Sequence, residues 1–127
     1  MPKTSLQSAP KPVRWVASSK DDLSAFPNDV KSRVGGALCD AQIGLESPAA
    51  KPLKVFGDAG VLEVVVDFDG NTFRTVYTVR FAKAVYVLHA FQKKSRRAIA
   101  TPKSELDLIG ARLARAKEDY EAWLKSR

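Results

Sequence analysis

The chain has 127 residues, 45% of them apolar, and 21 Lys and Arg against 14 Asp and Glu, a formal charge of +7. This length and apolar content predict one domain with its own core and exclude a disordered polyelectrolyte. No apolar run approaches the roughly 18 residues of a bilayer span and MPKTSLQSAPKP lacks a secretory stretch, so a cytoplasmic protein with no membrane contact is expected.

Residues 1–11, with Pro2, Pro10, Ser5 and Ser8 and little apolar pattern, read as a flexible N-terminal tail, and residues 12–127 as one domain. Val13-Arg14-Trp15-Val16-Ala17 reads as a short strand behind Pro12. Ser18 and Ser19 then cap a helix with Asp21 and Asp22 in its first turn, closed by Pro27. Val30, Val34, Leu38, Ala41 and Leu45 recur at steps of three and four and line a second helix of about 17 residues, so the two make a helical hairpin. Cys39 falls inside that helix and is expected to be a small buried apolar group. Prolines and glycines make residues 46–60 a connecting loop.

Three strands follow. Leu62, Val64, Val66 and Phe68 alternate with Glu63 and Asp67, Asp69-Gly70-Asn71 turns the chain, and Thr72 to Arg80 alternates again, which together predict an antiparallel hairpin. Ala84 to Phe91 is β-branched and aromatic, as a buried central strand requires. After Thr101, a natural N-cap, and Pro102, the positions Leu106, Ile109, Leu113, Ala116, Tyr120 and Trp123 make one face of a long helix, with Glu105 at its favourable start. The order predicts an α+β domain: a small antiparallel sheet with an N-terminal helical hairpin and a C-terminal helix, one face covered and the other available to a ligand.

Charge is concentrated in one place. Residues 1–71 carry a net −1 and residues 103–127 a net +1, while Thr72–Pro102 holds Arg74, Arg80, Lys83, Lys93, Lys94, Arg96 and Arg97 with no acidic residue at all. A polyanion such as nucleic acid fits such a segment, because phosphates neutralised by Lys or Arg release counterions. A single Cys and a single His, Cys39 and His89, exclude an internal disulfide and multi-Cys or His-rich metal sites, and nucleotide-binding, zincin and serine-hydrolase motifs are absent. No metal and no small-molecule cofactor are expected. What remains is Leu88-His89-Ala90-Phe91-Gln92-Lys93-Lys94-Ser95-Arg96-Arg97, a strand that delivers four cations to its own end. Metal-free phosphodiester cleavage needs cations against the charge developing on phosphoryl oxygens, and proton transfer from the 2′-hydroxyl and to the leaving oxygen. His89, on a face with Val85, Val87 and Phe91, fits either a satisfied histidine behind the site or a catalytic one. Tyr77 reads as core, and Trp123 with Tyr120 as a helix face packed on the sheet.

LHAFQKKSRRAIATPKSELDLIGARL, with KPLKVFG upstream and EVVVDFDGNTFRTVYTVRF between, resembles the HigB-like branch of the RelE/ParE toxins, known also from phage-derived proteins. The likeness runs from about Val13 to Tyr120 and rests on the order of its pieces: KPL, a hairpin with Arg-x-x-Tyr, Leu-His-x-Phe-x-Lys-Lys, then Thr-Pro and an acidic helix start. It implies the toxin of a type II toxin–antitoxin module, an endoribonuclease that cuts mRNA on the translating ribosome and is neutralised by a HigA-like helix-turn-helix antitoxin. Carried over by position, Arg74, Lys93 and Lys94, together with His89, become the catalytic candidates. Lys51 of the Lys51-Pro52-Leu53 loop, Lys54, Arg80, Gln92, Ser95, Arg96 and Arg97 become the RNA-binding ones. Many relatives have an Arg after the Leu-Glu of the first hairpin strand; here Leu62-Glu63 runs into Val64-Val65, so one phosphate contact is missing. Two alternatives stay open: a non-cleaving, ParE-like inhibitor of DNA gyrase, and a phage-derived nucleic-acid-binding protein.

Overall fold

A computed structural model describes residues 9–93 and 100–127; most of the expected tail, and Lys94, Ser95, Arg96 and Arg97, lie outside the described residues. The elements in chain order are β1 (Val13–Trp15), α1 (Ser19–Ser24), α2 (Asn28–Gln42), β2 (Ala50–Pro52), a 3₁₀ turn (Lys54–Phe56), β3 (Val61–Phe68), β4 (Asn71–Thr78), β5 (Val85–Lys93) and α3 (Lys103–Lys125). They form an α+β domain around one sheet of order β1-β5-β4-β3-β2. The sheet is antiparallel from β2 to β5, and β1 joins its far edge parallel to β5. Among the described residues no helix is long and apolar enough to cross a membrane.

The hairpin at the centre is fixed by its turn. Phe68 pairs with Asn71, and Asp69 and Gly70 between them both have positive φ (53° and 80°), the two-residue geometry whose twist matches that of the strands. Alternation then sends Val64, Val66, Phe73 and Tyr77 to one face, where they pack with Val30, Val34, Leu38 and Ala41 of α2 and Leu23 of α1. On the other face, Val61, Val76, Tyr86 and Leu88 pack beneath Ile109 and Ala116 of α3, edged by Tyr120 and Trp123. The sheet is therefore covered on both sides, and the face expected to stay open lies largely under α3.

Several local expectations are corrected. Residues 46–60 contain β2, an edge strand whose Pro52 is tolerated because an edge leaves one backbone side unpaired. α2 ends at Gln42, leaving Leu45 exposed, and Cys39 sits on the exposed side of the helix. Ser18 donates to the Asp22 carboxylate at 2.7 Å and makes no side-chain cap bond, while Ser19, fully buried, donates to Val87 O at 3.0 Å and so staples α1 to β5. Lys11, just ahead of Pro12, is tied to the end of α2: Lys11 N donates to Gln42 O at 2.9 Å, and Gln42 Nε2 returns a bond to Lys11 O at 2.7 Å.

Candidate active site

The register of the sheet sorts the candidate residues. Lys51, Glu63, Val76 and His89 stand in one row across β2, β3, β4 and β5. Val65, Arg74 and Phe91 make the next row, and Asp67, Thr72 and Lys93 the third. All three rows project from the α3 side, so Lys51, Arg74, His89 and Lys93 share a face, with Lys51 and His89 about 14 Å apart at a strand spacing of roughly 4.8 Å. Gln92 is opposite Phe73 and therefore faces the other side. Lys54 and Arg80 sit at the opposite end of the hairpin, where Leu53 N bonds Val61 O and Val79 N bonds Gly60 O, away from Lys93. Lys94, Ser95, Arg96 and Arg97 lie outside the described residues.

His89 reaches this face through an irregularity in β5. Val76 pairs with His89 but Tyr77 pairs with Val87, so Leu88 is an extra residue, a β-bulge that reverses the alternation beyond it. Without it His89 would share the α2 side with Val85 and Val87, the company expected from the sequence. With it, His89 and Phe91 stack under α3, ring centroids 4.8 Å apart.

Two linked polar clusters follow, both beneath the start of α3. Arg74 is only 5% exposed, and its Nη1 pairs with Glu63 Oε1 at 3.1 Å. Thr101 completes the cluster: its hydroxyl donates to Glu63 Oε2 at 2.6 Å and accepts from Arg74 Nη1 at 3.2 Å. Thr101 thus holds the buried ion pair, and Pro102 takes the N-cap position of α3. In the second cluster His89 Nε2 lies 2.7 Å from Glu105 Oε1, and Arg112 Nη1 donates to His89 Nδ1 at 3.3 Å and to Leu88 O at 3.0 Å. Arg112 also reaches Ser18 Oγ at 3.3 Å, so this arginine joins α3, β5 and the start of α1. A guanidinium can only donate, so Nδ1 must be the accepting nitrogen and Nε2 carries the hydrogen given to Glu105. Both imidazole nitrogens are thereby occupied.

Glu63 and Arg112 were not singled out from sequence, and Thr101 and Glu105 were read there only as helix-start residues. For Glu63 a signal existed: a two-residue turn places Glu63 opposite Val76, diagonally beside Arg74. Among the described residues no cluster of three or more His, Cys, Asp or Glu side chains is placed to hold a metal.

The arrangement offers a charge-balanced buried network beside a basic, acid-free segment. Comparison with known sequences identifies the kind of protein that carries it: residues 21–114, well over half the chain, match the family described as Phage derived protein Gp49-like (DUF891). The chain belongs to this family. The sequence resemblance pointed also to phage-derived proteins, and the family matched is one of these. No curated protein matches the sequence. Among solved structures, the Gp49-like chain is similar to a mutant of the toxin RelE of E. coli in its free state, with 14% identity over 65% of this chain and 82% of that one and a TM-score of 0.49. It is also similar to a chain of the toxin–antitoxin complex RelBE2 of Mycobacterium tuberculosis, with 22% identity over 68% and 94% of the two chains and a TM-score of 0.38.

Proposed function

We propose that this Gp49-like protein is the toxin of a toxin–antitoxin module and an endoribonuclease that cuts mRNA on the translating ribosome. The observation that carries this reading is where the acid-free segment begins to leave the sheet: Lys93 lies on the same face as Arg74 and His89, and Lys94, Arg96 and Arg97 follow it in sequence. In this proposal Lys93 and Lys94, with the exposed Lys51 at the sheet edge, hold the RNA backbone and offset the charge that develops on the phosphoryl oxygens. Arg74 takes part from beneath, since its guanidinium is engaged by Glu63 and Thr101. The RNA's own 2′-hydroxyl attacks the phosphorus, leaving a 2′,3′-cyclic phosphate and a 5′-hydroxyl without a metal. A HigA-like helix-turn-helix antitoxin is the proposed inhibitor.

Brief induction followed by mapping of transcript 5′ ends tests this. New ends inside open reading frames, together with growth arrest, support the ribonuclease. Intact transcripts with broken DNA would assign the protein to the gyrase inhibitors, and normal growth would leave a nucleic-acid-binding phage protein. Lys93→Ala with Lys94→Ala should relieve the arrest, and undiminished toxicity of that double variant would reject the site.

A further inference from the structure

The ribonuclease reading leaves the proton acceptor unnamed, and the chemistry requires one. His89, one of the catalytic candidates from sequence, is poorly placed to serve: Nε2 is spent on Glu105 and Nδ1 on Arg112, and its side chain is 9% exposed. The carboxylates on the α3 face can be compared in turn. Glu63 is buried with both oxygens committed, one to Arg74 and one to Thr101. Asp67 accepts from Thr72 at the end of the hairpin. Glu105 differs from both. Its side chain is 29% exposed, Oε1 is fixed by His89, and Oε2 makes no hydrogen bond among the described residues.

We infer that Glu105 is the catalytic residue that takes the proton from the attacking 2′-hydroxyl, and that His89 and Arg112 are positioning residues that hold it. This rests on the ribonuclease reading above. The step balances without a co-reactant. The 2′-hydroxyl proton passes to Glu105 Oε2, the freed oxygen pair forms the O2′–P bond, and the P–O5′ bond breaks. The leaving 5′-oxygen takes a proton from water, and the resulting hydroxide is neutralised by the proton Glu105 then gives up. The geometry suits the task because a general base works best when its own rotamer is locked. Arg112, itself bonded to Leu88 O and Ser18 Oγ, holds His89 Nδ1, Phe91 stacks on the ring, and the ring in turn fixes Glu105 in the first turn of α3. Lys93 follows His89 on the same face of β5, and Thr101 precedes Glu105 at the start of α3, so the two ends of the basic segment flank this pair in sequence.

The test uses the purified full chain on ribosomes programmed with a defined mRNA and on a bare oligoribonucleotide, under single-turnover conditions. Glu105→Gln keeps an oxygen to accept from His89 Nε2 but cannot take a proton. It should cleave about 10²-fold or more slowly, with unchanged RNA binding and melting temperature, while Glu105→Asp keeps part of the activity. The acid limb of the pH–rate profile should disappear in Glu105→Gln. The groups that face Glu105 are His89 from β5 and Arg112 from α3, with the Glu63–Arg74 pair of β3 and β4 reached through Thr101, and all are retained in that variant. Cleavage by Glu105→Gln at the native rate with an unaltered pH profile would overturn the assignment while leaving the ribonuclease reading in place. Failure of the native protein to cut either RNA would instead overturn the ribonuclease reading, and this assignment with it.

Discussion

Arg74 shows how burial changes the meaning of a charged residue. Its guanidinium and the Glu63 carboxylate are both almost fully enclosed, so neither is hydrated and each depends on the other and on Thr101. Replacing Arg74 by Ala strands a buried carboxylate, and the expected loss is about 3–5 kcal/mol, seen as a fall in the urea midpoint. Replacing both partners, Glu63→Leu with Arg74→Met, should cost far less than the two single changes added together, and strict additivity in that cycle would show that the pair is not coupled. Relief of any growth arrest by Arg74→Ala would therefore be no proof of phosphate contact; the lysines are the cleaner test. Alternation in Thr72–Arg80 told which face Arg74 occupies but not whether a helix lies on it. Coverage is a long-range fact, fixed here by an α3 that begins nearly thirty positions later.

At the scale of elements, strong periodicity was readable and short or irregular features were not. The α2 stripe, the β3–β4 hairpin with its Asp-Gly turn and the α3 face all follow from residue spacing. β2 has only three residues and one of them is proline, so local composition argues for a loop while pairing with β3 makes it a strand. The bulge at Leu88 leaves no mark in a run that is apolar on both sides, and that single residue decided which company His89 keeps. Of the residues grouped from sequence, Lys93 and Arg74 thus lie on one face while Gln92 points to the other and Lys54 and Arg80 sit at the far end of the hairpin, and Glu105 was legible only as a favourable helix start. α3 is held over the sheet largely by Ile109, which is fully buried. Ile109→Ala should destabilise by about 2–5 kcal/mol, checked by thermal or urea unfolding. Because α3 also presents Glu105 and Arg112, the same variant should weaken any cleavage more than its fraction unfolded explains; a proportional loss would separate packing from the site.

Across the whole molecule, the far end of the sheet is tied by a second polar group. Arg14 of β1 bonds Asp119 of α3 (Nη2 to Oδ2, 2.9 Å), and Tyr86 of β5 donates to the same oxygen at 2.6 Å, with the guanidinium 4.9 Å from the Trp123 ring. The Tyr86 hydrogen bond, helped by Arg14, holds the Asp119 carboxyl below its usual range. A depressed carboxylate stabilises the fold above its unfolded value of about 3.9, and the contribution is lost as pH falls through the folded value. Burial, reinforced by Asp119, pushes the Tyr86 hydroxyl up to about 12, and burial does the same for Tyr77. Their stabilisation is complete below about pH 10 and disappears as pH rises through the folded value near 12. Melting temperatures should therefore decline at both extremes. Asp119→Asn should blunt the acid decline, and an acid limb identical to that of the native protein would show that the tether contributes nothing there. The effect is small and salt-sensitive because Asp119 is half exposed.

That tether joins residues 105 positions apart. Loop closure over such a span precedes any reward from contact, so this bond depends on the sheet having first brought β1 and α3 together. The tether thus reports on assembly as a whole: it exists only where the first strand and the last helix have reached the same edge of the sheet.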